Sequence, residues 1–408
     1  MNTKQTTNWR KVRLGEILSV SGGGTPSTRN SEYWNGDIPW LTPAEVSQHS
    51  SRFIKETERS ISKKGLESSS AKLMPIGSLL LTSRATIGDI VINEVPMATN
   101  QGFINIVPSD QVDQVFLYYW LKRNHDYFNQ IAVGSTFPEL IKSVFKQIPI
   151  DLPPIVGQKR IADILSAFDD KIELNNKVSR TLEEMARAIF KEWFVKFHFP
   201  GHEKNKFVDS ELDKIPKGWK VKKIGEVASV VLGGTPSRTK PEYWAGNIPW
   251  INSGKVNEFR IISVNEYITK KGLDDSNARL MPKRTTVIAI TGATLGQVSL
   301  LEIAASANQS VVGIFNSDIL PPEFIYLYIK QRVNDLINAA SGGAQQHINK
   351  QVVEEYPVLV PDTDTISEFA NIVRPVFDQI ANSIFENQKL ATLRDLLLPR
   401  LMSGEIKV

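Results

Sequence analysis

Among the side chains of this 408-residue chain that could do chemistry, the common catalytic signatures are missing. There is no cysteine, which removes disulfides, thiolate nucleophiles and cysteine metal sites together. The sequence holds no Gly-x-x-x-x-Gly-Lys-Ser/Thr phosphate loop, no His-Glu-x-x-His pair and no Asn-Pro-Pro-Tyr tetrapeptide of the kind that acts on an extruded base. His198 and His202 have helical spacing, but Pro200 and Gly201 lie between them, which argues against a shared metal. What remains are hydrogen-bonding groups in loops. Arginine offers a planar fork of donors, glutamine a donor and an acceptor on one amide, and lysine a mobile point charge.

The placement of these groups becomes informative because the chain repeats itself. Gly15–Val46, GEILSVSGGGTPSTRNSEYWNGDIPWLTPAEV, lies over Gly225–Val256, GEVASVVLGGTPSRTKPEYWAGNIPWINSGKV, without a gap and with 17 of 32 positions identical. The match continues with small register shifts. Lys63-Lys64-Gly65-Leu66 answers Lys270-Lys271-Gly272-Leu273, Ala85-Thr86-Ile87-Gly88 answers Ala293-Thr294-Leu295-Gly296, and Asn100-Gln101 answers Asn308-Gln309. A period near 208 residues is too long for stacked motifs, so the copies are whole domains. Shared positions such as Gly24-Thr25-Pro26 and Tyr33-Trp34 read as scaffold. Divergent positions inside shared loops read as the variable surface: Thr28-Arg29-Asn30 against Arg238-Thr239-Lys240, Arg84 against Gly292, and Ser135-Thr136 against a loop holding Gln345, Gln346 and His347.

Different elements follow the copies. From Gly157 to about Phe197, Ile161, Leu165, Phe168, Ile172, Asn175, Ser179, Leu182, Ala186, Ile189 and Trp193 recur at alternating four- and three-residue spacing. From about Thr365 to Ser403, Ile366, Phe369, Val373, Val376, Ile380, Ile384, Asn387, Ala391 and Leu397 trace a similar stripe. Neither stripe can be buried alone, so the spacing predicts two long helices paired as an antiparallel coiled coil. Asn175 and Asn387 fit buried register-setting positions, with exposure as the alternative, and Pro375 should kink the second helix or mark a later start. Within each copy, strand-like runs at 78–81, 89–92, 104–107, 286–290 and 311–315 mix with helical stretches at 111–129 and 322–339. Phe116, Tyr118, Tyr119 and Trp120 fit a core better than a stacking platform. The segment 198–219 reads as a polar linker.

Composition permits this plan. Hydrophobic residues make up 41% and charged residues 23%, which suits a folded soluble protein. A net charge of +4 allows an anionic partner without requiring one, so any basic surface must come from clustering. The polar start MNTKQTTNWRKV and the lack of a long apolar run point to a cytoplasmic location.

Three features carry a family resemblance: the Gly-Gly-Thr-Pro-Ser opening with Glu-Tyr-Trp and Ile-Pro-Trp in both copies, the linker Val-Asp-Ser-Glu-Leu running into Ile-Pro-Lys-Gly-Trp, and the ending Leu-Arg-Asp-Leu-Leu-Leu-Pro-Arg-Leu-Met-Ser-Gly-Glu-Ile. In this order they resemble the specificity subunits of Type I restriction-modification systems, over essentially the whole chain. The resemblance implies a mixed α/β (α+β) fold of two homologous target-recognition domains separated by the antiparallel coiled coil, a pseudo-twofold internal repeat. The expected parts are 1–153 for the first domain, 154–198 for the first long helix, 199–360 for linker and second domain, and 361–408 for the second long helix. It implies a non-catalytic subunit that reads a bipartite asymmetric DNA target, one half per domain. Its partners would be double-stranded DNA, two methyltransferase subunits and restriction subunits. S-adenosylmethionine, ATP and Mg are expected in those partners and no cofactor in this chain.

In that setting the loop residues become candidate DNA contacts. For the first domain they are Ser27, Thr28, Arg29, Asn30, Lys63, Lys64, Arg84, Thr86, Ser135 and Thr136. For the second they are Ser237, Arg238, Thr239, Lys240, Lys270, Lys271, Thr294, Gln345, Gln346 and His347. Arginine can grip guanine and glutamine adenine through two hydrogen bonds. Arg84 is open between base reading and a salt bridge, the lysines between phosphate contact and wet surface, Ser27 and Ser237 between phosphate contact and a turn, and Asn100-Gln101 between contact and fixing a turn. A protein-interaction scaffold with the coiled coil as spacer is the alternative from another functional class.

Overall fold

The computed structural model describes residues 8–49, 51–315, 317–339 and 348–408. The chain divides into two compact units. Unit 1 runs to Glu173 and includes Lys389–Val408, and unit 2 is Leu174–Gln388. Each therefore contains one domain copy and a part of each long helix.

The repeat holds at the level of strand pairing. In unit 1 a five-stranded sheet has the order Leu18–Gly22, Phe103–Pro108, Leu79–Thr82, Ile90–Asn93, Phe53–Ile54. In unit 2 the order is Ser229–Leu232, Val311–Phe315, Thr286–Ala289, Val298–Leu300, and the fifth strand is reduced to a parallel bridge of Ile261 with Leu301. Leu79, Leu80 and Leu81 are all buried, as are Val287, Ile288 and Ala289, so these central strands read as unbroken apolar runs rather than alternating ones. A second, three-stranded sheet is also duplicated: Trp34–Leu41 lies between Ser60–Ile61 and Ala98–Thr99, and Trp244–Ile251 between Glu266–Ile268 and Ser306–Ala307. The start and end of each copy are stitched together by Arg10–Arg13 with Pro149–Leu152 and by Lys220–Lys223 with Pro357–Val360.

The expected strands all form, with bounds shifted by a residue or two. The helical stretch at 111–129 is two helices, Gln114–Arg123 and His125–Ile131, because the Asn124 side chain turns back onto the Trp120 carbonyl at 2.7 Å. Its aromatic run is core: Phe116, Tyr118, Tyr119 and Trp120 are buried. The segment 198–219 is not a bare linker. Phe207–Ser210 pairs with Asp213–Pro216 as a hairpin, and Phe199, Ile215 and Trp219 enter the unit 2 core, with the Trp219 indole N–H donating to Asp362 at 2.8 Å. Three apolar side chains spaced among charged ones are enough to anchor a segment that otherwise stays largely exposed.

The long helices span Ile155–Phe194 and Thr363–Met402. The second runs through Pro375 and starts two residues before the expected Thr365, so the proline, which withholds one backbone donor, does not set its beginning. In unit 1, Ile161 and Leu165 of the first helix share a core with Leu398, Leu401 and Met402 of the second, and Asp169 pairs with Arg394. In unit 2, Phe190, Trp193 and Phe194 ring Phe369 at centroid distances of 4.9 to 6.1 Å, while Asn175 faces Asn387. Rising numbers on one helix meet falling numbers on the other, so the pair is antiparallel. Of the remaining stripe residues, Val373 and Ile380 are buried and Phe168, Ile172, Leu182, Ile189, Ile384 and Leu397 are half-buried. Among the described residues no helix is long and apolar enough to cross a membrane.

The two asparagines face each other rather than water, as register-setting residues would. Asn175 is buried and its amide donates to Asn387 at 2.8 Å and to Glu386 at 2.7 Å, while the Asn387 amide donates to Asn176 at 2.9 Å. Asn387→Leu is expected to destabilise the protein by about 1 kcal/mol, because it removes the acceptor of one Asn175 hydrogen bond and the donor to Asn176 while Asn175 keeps Glu386. Asn175→Leu combined with Asn387→Leu should recover much of that loss. Thermal unfolding of the two variants checks the expectation, and strictly additive losses would show that the amides do not act as a pair.

Candidate nucleic-acid interface

The candidate surface is built around the glycine loop that opens each copy. Gly23 and Gly24 lie flat on the strand end at Thr99 and Asn100. A Cβ on Gly23 would sit 2.1 Å from the Asn100 carbonyl oxygen, and one on Gly24 2.3 Å from the Ala71 amide nitrogen. Gly233 and Gly234 are pressed against Asn308 and Asn277 in the same way. Only glycine allows this approach, and it lets the following residues stand out from the sheet.

Two tryptophans hold the loop from beneath. In unit 1 the Trp40 indole donates to the Gly24 carbonyl at 2.9 Å and Trp34 to the Ser27 carbonyl at 3.1 Å, the rings meeting edge to face at 5.0 Å. In unit 2 Trp250 donates to Gly234 and Trp244 to Ser237, each at 3.1 Å, with the rings 5.2 Å apart. Thr25 and Thr235 donate to Gln101 and Gln309 at 2.5 Å. Asn100 and Asn308 fold their side-chain oxygens onto the amides of Gly102 and Ser310. The identical residues thus fix a turn and a clamp.

The divergent residues sit on top. Ser27, Thr28 and Arg29 are exposed, and Asn30 caps the short turn Ser31–Tyr33 by accepting from the Glu32 amide at 3.1 Å. Across in unit 2, Arg238 lies on the Trp244 ring and forks onto Glu266 at 2.6 and 3.1 Å, a hydrogen-bonded pairing that holds the Glu266 carboxyl below its ordinary range. Ser237 and Thr239 share a hydrogen bond of 2.8 Å, and Lys240 donates to the Tyr243 hydroxyl at 2.9 Å. Thr28 and Arg29 are exposed while Asn30 caps a turn, whereas Arg238, Thr239 and Lys240 all bond to other side chains.

The paired lysines behave differently from a bare basic patch. Lys64 pairs with Glu32 at 3.0 Å, Lys63 lies 3.9 Å from Glu67, Lys270 pairs with Asp274, and Lys271 pairs with Asp275 at 2.6 Å. All four are exposed, so these pairs contribute little to stability and can be exchanged for another anion. Each group stands on a one-turn helix capped by Ser62 or Thr269. Thr86 is half-buried with its hydroxyl enclosed, and Thr294 is half-buried in a short turn.

Arg84 meets the loop that carries Ser135 and Thr136. Val133 and Glu139 exchange two backbone hydrogen bonds of 2.9 Å that close the loop, and the Arg84 guanidinium donates to the Glu139 carboxylate at 2.8 Å. Ser135 and Thr136 are exposed beside Phe137, which is 86% exposed and was not marked by the sequence comparison. Gln345, Gln346 and His347 lie outside the described residues. Arg59 was also missed, although its guanidinium lies 3.6 Å from the Trp34 ring centroid. Among the described residues no cluster of three or more metal-ligating side chains occurs, and His198 and His202, with rings 5.2 Å apart, bond instead to Glu192 and the Phe199 carbonyl.

A duplicated scaffold with a variable outer face defines a tandem recognition module. A family model described as the Type I restriction modification DNA specificity domain matches it twice, at residues 6–184 and 216–393. The MjaIX specificity subunit of Methanocaldococcus jannaschii is 33% identical over 408 residues, covering 98% of this chain and 94% of that protein. The HindI specificity subunit of Haemophilus influenzae is 26% identical, covering 71% and 77%. In fold alone, the S subunit of a Type-I restriction-modification system from M. genitalium matches with a TM-score of 0.59 over 98% of both chains at 15% identity. The chain belongs to the Type I restriction-modification DNA specificity family, and is a recognition subunit rather than an enzyme.

Proposed function

We propose that each unit reads one half of a bipartite DNA target, and that the paired long helices set the unread gap and dock two methyltransferase subunits. Restriction subunits complete the assembly. S-adenosylmethionine, ATP and Mg act in those partners, and intracellular DNA places the work in the cytoplasm. The observation that supports this most is the contrast within the repeat. Residues that clamp the glycine loop are the same in both copies, while those above the clamp differ in charge and in partner. A scaffold for one polypeptide partner gives no reason for two matched supports to carry different polar faces, whereas two unlike half-sites do.

The test is methylation mapping in a host that expresses the chain with its methyltransferase partner. A split motif with a fixed gap is expected, together with binding that weakens steeply with salt. Binding without sequence preference, or none, would favour the interaction scaffold. Arg84→Ala should relax only the half-site of unit 1, losing about 1–3 kcal/mol of discrimination at one position. Uniformly weaker binding with both half-sites unchanged would reassign Arg84 to phosphate contact or to its ion pair with Glu139.

A further inference from the structure

In both units the tryptophan clamp carries a guanidinium on its ring faces, and the two guanidinium groups come from different places in the chain. In unit 1 Arg59 lies 3.6 Å from the Trp34 centroid and 5.4 Å from that of Trp40. In unit 2 Arg238 lies 3.5 Å from Trp244 and 5.2 Å from Trp250. Arg238 belongs to the glycine loop, six residues before Trp244, where the first copy has Thr28. Arg59 leads into the opposite strand, two residues before Ile61, which pairs with Trp34. The matching position before Ile268, the partner of Trp244, is Glu266. Thr28 and Arg59 therefore answer Arg238 and Glu266. The cation is kept on the indole while its origin in the chain is exchanged.

What differs is the edge of the guanidinium. In unit 2 both terminal nitrogens of Arg238 are occupied by Glu266. In unit 1 Thr28 offers no carboxylate in the corresponding place, Arg59 is exposed, and among the described residues its side chain has no ion pair. Stacking on the indole fixes the guanidinium plane, so less freedom is lost when its two parallel N–H groups meet an acceptor pair.

We propose that Arg59 is a guanine-reading residue of unit 1, its stacked fork donating to the O6 and N7 acceptors of the major-groove edge. Glu266 closes the equivalent position of unit 2, which presents no free fork there. The proposal rests on the reading that unit 1 recognises one half-site, and it names one side chain that performs it.

Methylation mapping of the full chain with its methyltransferase partner, for wild type, Arg59→Met and Arg59→Lys, tests it. In Arg59→Met one G·C position of the unit 1 half-site should become degenerate, with discrimination there falling roughly 5- to 150-fold. The unit 2 half-site should be unchanged, which also reports that the chain folds. Arg59→Lys should not restore the position, because an ammonium lacks the planar fork. An unchanged motif in Arg59→Met would overturn the proposal. So would uniform weakening that Arg59→Lys repairs, the mark of a phosphate contact, or loss of the whole unit 1 half-site in both variants, the mark of a folding role. A wild-type map with no split motif would overturn the underlying functional reading, and this proposal with it.

Discussion

Removing Leu174–Arg180 from the first long helix together with Asn382–Gln388 from the second is expected to shorten the unread gap in the target by roughly three base pairs, leaving both half-sites intact. Seven residues span about 10 Å of helix at 1.5 Å per residue, and duplex DNA advances about 3.4 Å per base pair. Seven residues are also one repeat of the stripe, so Ile172 is followed at the right spacing by Leu182, and Ile380 by Ala391. The deletion takes out the Asn175 and Asn387 contact as a matched set, which leaves neither amide buried without a partner. Methylation mapping reads the result. Altered half-sites with the original gap would show that the helices do not measure the target. Deletion in one helix alone should instead disrupt folding, because the two stripes would no longer match.

Arg260→Met is expected to have the largest effect on stability, about 3–5 kcal/mol, which is roughly 6 to 20 °C in melting temperature for a unit of this size. The Arg260 guanidinium is fully buried. It lies 2.7 Å from the Glu183 carboxylate of the first long helix and 3.9 Å from Glu302, and donates to the Tyr326 hydroxyl at 2.9 Å. Methionine fills similar volume but leaves two buried carboxylates without their shared cation. Arg52 of unit 1, also buried and beside the Tyr119 hydroxyl at 3.3 Å, pairs with Asp170 and Glu173, which reach water, so Arg52→Met should cost less.

The loss should depend on pH. Burial pushes Glu183 up, but Arg260 and Lys330 outweigh it and hold the carboxyl below its ordinary value. Its contribution is therefore present above about pH 4.5 and lost as pH falls through the lower folded value. Glu302 is pushed up by burial, only partly offset by Arg284, Arg260 and Lys283, so it favours the fold while protonated and weighs against it as pH rises through its folded value. Without Arg260 both groups fit better protonated, and the deficit of Arg260→Met should be larger at pH 8 than at pH 5. Chemical or thermal unfolding at the two values checks this, and an equal deficit at both would mean that the carboxylates are not buried with the arginine.

The linear sequence determined the plan of the molecule. The ungapped identity of Gly15–Val46 with Gly225–Val256 required two copies of one fold, and strand pairing repeats between them nearly residue for residue. The four- and three-residue steps from Ile161 to Trp193 and from Ile366 to Ala391 required two long one-sided helices. Periodicity and identity are properties of the chain itself, so they survive without knowledge of contacts. The exposure of Thr28, Arg29, Arg238, Thr239 and Lys240 was also legible, because divergence inside a largely shared loop marks an exposed face.

Contacts between distant residues were decided by tertiary structure alone. Arg59 escaped notice because 27 residues separate Trp34 from Ile61, whereas 24 separate Trp244 from Ile268, so the alignment slips before it reaches the charge exchanged with Glu266. Nothing in the linear sequence marks Arg260, and only packing brings Glu183, Glu302 and Tyr326 around it in a buried cluster. Phe199, Ile215 and Trp219 look sparse in a polar segment until the hairpin folds them into one core. In each case the deciding quantity is which side chains lose water together, and that depends on the three-dimensional meeting of elements rather than on their order along the chain.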